Sequence, residues 1–229
     1  MNKNIKRVWL PIILAVLCLV STLFKGNQRA VYSESVANVP EFSNIPYVVI
    51  NNNEPEFDEN DITADAYEYY SDLDDLGRCG YAMACIGVEL MPTEERGSIG
   101  QVKPSGWQTV KYDFVDGKYL YNRCHLIGFQ LTGENANKSN LITGTRYLNV
   151  EGMLPFENMV ADYIKETENH VIYRVTPVFD GDNLVARGVQ MEGWSVEDDG
   201  EGICFNVYVY NNQPGVTVHY EDGTSRQAN

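Results

Sequence analysis

Residues 121–149 read YNRCHLIGFQLTGENANKSNLITGTRYLN, and the interpretation of the whole chain starts from them. This stretch holds His125, one of only three histidines in the sequence, with Asn122, Arg123, Asn140, Arg146 and Asn149 around it. A histidine titrates near neutral pH and can take a proton from water. Asparagine offers a neutral oxygen that suits a hard cation such as Mg²⁺, which keeps most of its own waters. Arginine presents a planar fork of donors matched to phosphate. Together these are the parts for metal-assisted attack on a phosphate ester. Arg146 reads equally well as a surface residue and as a phosphate contact.

On the N-terminal side, residues 107–121 read as a β-hairpin. Val110, Tyr112 and Phe114 alternate, Asp116-Gly117 supplies the turn, and Tyr119 and Tyr121 resume the pattern. His125 is then expected just past a strand end, aimed by a rigid element. On the C-terminal side, residues 149–166 carry apolar residues at mixed three and four spacings, which predicts a helix bent at Pro155. The order hairpin, loop, helix puts a base opposite an amide oxygen.

At this point the segment resembles the DNA/RNA non-specific endonuclease family, whose active site is a ββα-metal (His-Me finger) motif, and within it the secreted DNases of Gram-positive bacteria. The family's Asp-Arg-Gly-His motif is matched here by Asn122-Arg123-Cys124-His125. The family places one Asn nine residues before a second and a Glu eight residues further on; Asn140, Asn149 and Glu157 keep both gaps. The resemblance runs from about residue 46 to about residue 210. It implies an α+β fold with a mixed or antiparallel central β-sheet, flanking helices and the ββα-metal motif.

It also implies roles. His125 would be the general base and Asn149 the protein ligand of Mg²⁺, with Mn²⁺ as the alternative ion. Asn140 and Glu157 would hold metal waters or neighbouring side chains, and Arg123 would contact phosphate or brace its loop. Arg78 resembles a family arginine that stabilises the transition state. The implied activity is Mg²⁺-dependent, non-specific hydrolysis of DNA, with RNA as a further substrate and no obligate protein partner. Two positions depart from the motif: Asn122 removes a carboxylate, and Cys124 replaces a glycine.

Charge bears on this reading. The 229-residue chain has a formal net charge of −15, awkward for a phosphate-rich partner. Between residues 98 and 150, however, six basic residues stand against three acids, so the proposed site lies on a locally basic segment. The acidity gathers in residues 54–75 and 192–201.

The rest of the chain divides simply. Residues 1–26 read as a signal peptide or N-terminal membrane anchor: Lys3, Lys6 and Arg7 precede an uncharged apolar run at 8–24. At about 1.5 Å per residue that run would barely span a bilayer core of about 30 Å. The remainder is therefore expected outside the cell, secreted or anchored to the outer face of the membrane. Residues 27–45 read as a linker, 46–220 as the endonuclease domain and 221–229 as a polar, frayed tail. Within the domain, strands are predicted at 47–50, 79–88, 170–179, 183–191 and 203–210, with loop and one helical turn at 54–75. A short edge strand is expected after Gly215.

Four cysteines outside the leader (Cys79, Cys85, Cys124 and Cys204) permit disulfides in an oxidising space, or serve as small buried hydrophobes. Their spacing matches no zinc pattern. Two other function classes stand beside the nuclease. One is a Cys–His hydrolase using Cys124 with His125, or Cys204 with His170. The other is a catalytically inactive acidic surface or binding protein of the same fold. His170 and His219 read as structural.

Overall fold

Long runs of β-branched and aromatic residues at the C-terminal end build the framework. In a computed structural model, which describes residues 36 and 38–228, Val171–Val178 (β6), Gly188–Ser195 (β7) and Cys204–Tyr210 (β8) pair antiparallel in sequence order. Tyr47–Val49 (β1) adds to β8, while Ala82–Ile86 (β3) and Tyr67–Tyr70 (β2) extend the other side. The result is a six-stranded sheet in the order β1-β8-β7-β6-β3-β2. Every residue of β3 is buried, because that strand is paired on both sides and covered on both faces. Arg174 on β6 faces Glu192 on β7. The carboxylate of Glu192, only 1% exposed, takes a 2.8 Å bond from the guanidinium Nε, so the buried charge is compensated.

The second layer packs on one face of this sheet. Tyr121–His125 (β4) and Leu141–Thr145 (β5) form a separate antiparallel pair. Between them lie a single helical turn, Phe129–Thr132 (α1), and a 3-10 turn at Lys138–Asn140. After β5 the chain enters a π-helical segment, Leu148–Met153, which runs directly into Leu154–Thr167 (α2). Phe156, Val160, Ala161 and Ile164 of α2 are buried in a core shared with Tyr173, Met191, Phe205 and Val207 of the sheet. Burying each of the larger side chains here, Phe156, Val160 and Ile164, stabilises the layer contact by roughly 1.5–3 kcal/mol.

Several expectations are corrected. Residues 107–121 do not form a regular hairpin. The backbone pairing of the arms is limited to one β-bridge, Lys111 to Tyr119. Phe114 and Tyr119 near the turn are 51% and 46% exposed, while Val110, Tyr112 and Tyr121 pack in a small cluster with Leu120, Val185 and Tyr220. The first strand of the ββα unit is β4 itself, and His125 is its last residue rather than lying past its end. The helix expected over 149–166 is present, and Pro155 stands where the π-helical segment passes into the first turn of α2. Residues 67–70, read as loop, form the edge strand β2, and the strand placed at 183–191 begins only at Gly188. The tail is not frayed at 225–227: Val216–Val218 (β9) and Ser225–Gln227 (β10) pair as a small separate sheet.

Part of the expected linker is tied to the domain. Phe42 packs against the rings of Tyr147 and Tyr210, and the Tyr210 hydroxyl donates to the Pro40 carbonyl at 2.7 Å. The apolar run at 8–24 lies outside the described residues. Among the described residues no helix is long and apolar enough to cross a membrane.

Candidate active site

Strand period decides which residues of β4 work together. Asn122 and Cys124 are two apart and share one face, while Arg123 and His125 share the other. The strand ends beside a cleft of about 610 Å³ lined by Arg96, Asn122, Arg123, His125, Arg146, Asn149 and Glu157 among others. Three arginines and one carboxylate at one opening make the cleft locally basic within an acidic chain.

His125 is 6% exposed, and both ring nitrogens are engaged. Nε2 lies 2.7 Å from the backbone oxygen of Asn135 and Nδ1 lies 3.2 Å from a guanidinium nitrogen of Arg96. A carbonyl only accepts and a guanidinium only donates. The proton of the neutral ring is therefore on Nε2, and the lone pair is on Nδ1 beside Arg96. Burial holds the imidazole below its ordinary pKa; the Asn135 carbonyl acts in the opposite sense and the Arg96 charge reinforces the lowering. The ring is thus a neutral base at pH 7.

Asn149 sits in the π-helical segment across from β4. Its side-chain oxygen accepts from the Cys124 thiol at 3.0 Å, and its amide nitrogen donates to Asn122 Oδ1 at 3.2 Å. Glu157, one helical turn into α2, has its carboxyl pushed up to about 7 by burial, against the lowering influence of Arg96. A side chain at Gly128 would collide with it, since a β-carbon there would come within 2.6 Å of Glu157 Oε2.

These donors fit a hydrated cation. The cleft offers an amide oxygen and a half-buried carboxyl raised to about 7, a group that a nearby positive charge would ionise. Among the described residues no cluster of three or more His, Cys, Asp or Glu could hold a metal by itself.

The other expected site residues fall elsewhere. Asn140 is fully buried and does not line the cleft. Its side chain accepts from Ile127 N–H at 2.9 Å and donates to Ile127 O at 3.0 Å, clamping the backbone just after His125. Arg123 lines the cleft but spends its donors on the carbonyls of Val102 and Gly100 and stacks over Trp107 at 4.1 Å. It braces the 100–107 loop against β4.

Arg78 is not at the cleft. It pairs with Asp74 at 2.7 Å, donates to the carbonyls of Gly181 and Asn183, and lies over Phe179. Its fork is consumed in joining two turns. The arginine beside the base is Arg96, which the sequence reading passed over. The signal was available: Arg96 is the only basic residue between Arg78 and Lys103.

No Cys–His pair forms. The Cys124 sulfur meets Asn149 and Met153, not His125, and burial pushes its thiol well above the usual range. Cys204 donates to Asn53 O, while His170 lies between Glu197 and Glu89. The four cysteines of the domain are free thiols.

Comparison with known proteins gives an independent view. The family model described as DNA/RNA non-specific endonuclease matches residues 59–197. The structure of NucA from Streptococcus agalactiae with magnesium ion bound superposes with a TM-score of 0.73 at 24% identity, covering 85% of this chain and 92% of that one. The Sda1 nuclease with bound zinc ion is 30% identical, with a TM-score of 0.60 over 71% of this chain and 81% of that one. An extracellular endonuclease superposes with a TM-score of 0.57 at 22% identity, covering 72% and 87%. No curated protein is significantly similar in sequence.

Proposed function

The chain belongs to the DNA/RNA non-specific endonuclease family, and on that premise we propose that it is a secreted or surface-anchored endonuclease that hydrolyses DNA, and RNA as a further substrate, with Mg²⁺. Mn²⁺ is the alternative ion. The observation that carries the reading is the convergence on one cleft of a base whose Nδ1 carries no proton, an arginine hydrogen-bonded to that nitrogen, and the Asn149 side chain.

In this reading His125 Nδ1 takes the proton of the attacking water, while the Asn135 carbonyl keeps Nε2–H in place and the ring correctly turned. Arg96 occupies Nδ1 before substrate arrives. A phosphate entering the cleft is a stronger acceptor than imidazole, so it draws the guanidinium onto its oxygens and frees the base in the same movement. Asn149, with Glu157 behind it, would hold the divalent cation. When bound, that ion supplies neutralisation of charge on the phosphate and on the leaving oxygen. Contacts to phosphate carry no base information, which agrees with cleavage of many sequences. The apolar run at 8–24, with its preceding positive charges, supports export.

Plasmid cleavage tests the proposal directly. Wild type is expected to cut in Mg²⁺ and stop in EDTA, and Asn149→Ala is expected to need far more Mg²⁺. Cleavage that survives EDTA would overturn the metal-assisted mechanism. Unchanged Mg²⁺ dependence in Asn149→Ala would remove that residue as the ligand.

A further inference from the structure

Two groups next to the site are unusual for the motif they occupy, and both touch the same side chain. Asn122 and Cys124 stand where the family pattern has Asp and Gly, and each bonds one end of the Asn149 amide. We propose that Asp116, Arg146 and Asn122 on one side and Cys124 on the other form an orienting relay that fixes which end of the Asn149 amide is presented as oxygen. The inference rests on the reading of Asn149 as the metal ligand.

Polarity propagates from the charged end. Arg146 donates twice to Asp116 Oδ2, at 3.0 and 2.8 Å, which anchors the guanidinium. Its third nitrogen, Nη1, reaches Asn122 at 3.4 Å. A guanidinium has no acceptor, so the Asn122 amide must offer it oxygen. That oxygen also faces Asn149 at 3.2 Å, where only an N–H can meet it. The Asn149 nitrogen is thereby committed, and its oxygen is turned the other way, to the Cys124 thiol at 3.0 Å. Met153 Sδ, at 3.5 Å, is a poorer acceptor for the same thiol proton than an amide oxygen. An amide oxygen has two lone pairs, so one bond from the thiol leaves the other for a cation.

Room for this thiol has been made across the strand pair. A β-carbon on Gly144 would lie 2.6 Å from Cys124 Cβ and 3.2 Å from its sulfur. Without an orienting relay an amide ligand spends part of its time with nitrogen toward the metal, which repels it. Partners of this kind typically change metal affinity or activity about 10–100-fold.

The test measures Mn²⁺ binding to the substrate-free protein by titration calorimetry, with melting curves to confirm folding. Arg146→Met and Asn122→Leu are each expected to weaken Mn²⁺ about tenfold. Asn122→Asp, which accepts from both neighbours, recovers most of that loss. Cys124→Val fills the space without a donor and is expected to weaken Mn²⁺, while Cys124→Ser restores it. At saturating Mn²⁺ the KM for DNA stays at its wild-type value in Arg146→Met. Wild-type Mn²⁺ affinity in folded Arg146→Met and Cys124→Val, with affinity lost in Asn149→Ala, overturns the relay alone. Wild-type affinity in Asn149→Ala removes the ligand reading and the relay with it. A raised KM for DNA with Mn²⁺ affinity intact in Arg146→Met makes that arginine a phosphate contact and overturns the relay.

Discussion

His125 and His170 are the same side chain in opposite settings. His125 is buried at the end of β4 between a carbonyl and a guanidinium, and its pKa is depressed, first by burial. His170 begins the approach to β6 between two carboxylates: Nδ1 meets Glu197 at 2.5 Å and Nε2 meets Glu89 at 3.1 Å. Burial alone would lower its pKa too, but hydrogen bonds and charge from Glu197 and Glu89 hold it above the ordinary value. One ring is held toward its neutral form, with Nδ1 beside Arg96 at a cleft; the other is held toward its charged form between two carboxylates. Which ring is suited to act as a base is therefore set by the neighbours' polarity, not by the residue type.

The sharpest way to break this contrast is to remove each ring. His125→Ala should lower kcat for plasmid cleavage by about 10²–10⁴-fold, the usual worth of a positioned base. His170→Gln should leave kcat within about twofold, since the 170 ring is engaged only by Glu89 and Glu197. Equal losses in the two variants would dissolve the distinction. Next in size, Arg96→Met should cost about 10²–10³-fold in kcat, comparable to loss of one transition-state donor. A loss confined to KM would show that Arg96 serves ground-state binding instead.

Acidity sharpens the comparison with opposite signs. His125 has a depressed pKa, so the active neutral form persists to lower pH than for a free imidazole. The acid limb of kcat/KM assigned to this ring should lie below pH about 6.5. Arg96 contributes to the depression, so residual activity in Arg96→Met should show that limb moved to higher pH.

For His170 the folded pKa is raised. Its contribution to stability is complete below the unfolded value and is lost as pH rises through the folded one. The smallest effect is therefore thermal. His170→Gln should melt lower than wild type at pH 5.5, by an amount matching about 0.2–1 kcal/mol for a surface ion pair, and the gap should close at alkaline pH. A gap that widens with pH would reverse the assignment.

These contrasts also show what a linear sequence carries and what it hides. His125, Asn149 and Glu157 were readable because the chain between them folds locally, β4 pairing directly with β5 and β5 leading into the π-helical segment and α2, so fixed spacing becomes fixed geometry. Arg96 lies in a loop without period between β3 and β4, and only folding brings it to Nδ1. Arg78 looked eligible because nothing in sequence announces that Asp74 and two carbonyls would consume its donors. Asn140 kept the expected spacing, yet its amide closes on the Ile127 backbone. Spacing locates a residue without saying which way it faces.

Elements followed the same logic. Strongly apolar β3, β6 and β8 were legible, while the tyrosine-rich, acidic edge strand β2 was not, because its pairing on one side only leaves half of it exposed. The tail strand β10 owes its order to pairing with β9, a tertiary cause that no local pattern in 225–227 expresses.

The wide turn at Leu148–Met153 has one more implication. A π-turn takes up about one residue more than an α-turn over the same length of axis. Asn149 thus owes its bearing toward β4 to a single residue of slack. Deleting one residue from 150–152 would let the segment relax into a continuous α-helix and swing position 149 by about 100° about the axis. The chain would still fold around its sheet, with Asn149 present and its amide pointing away from β4.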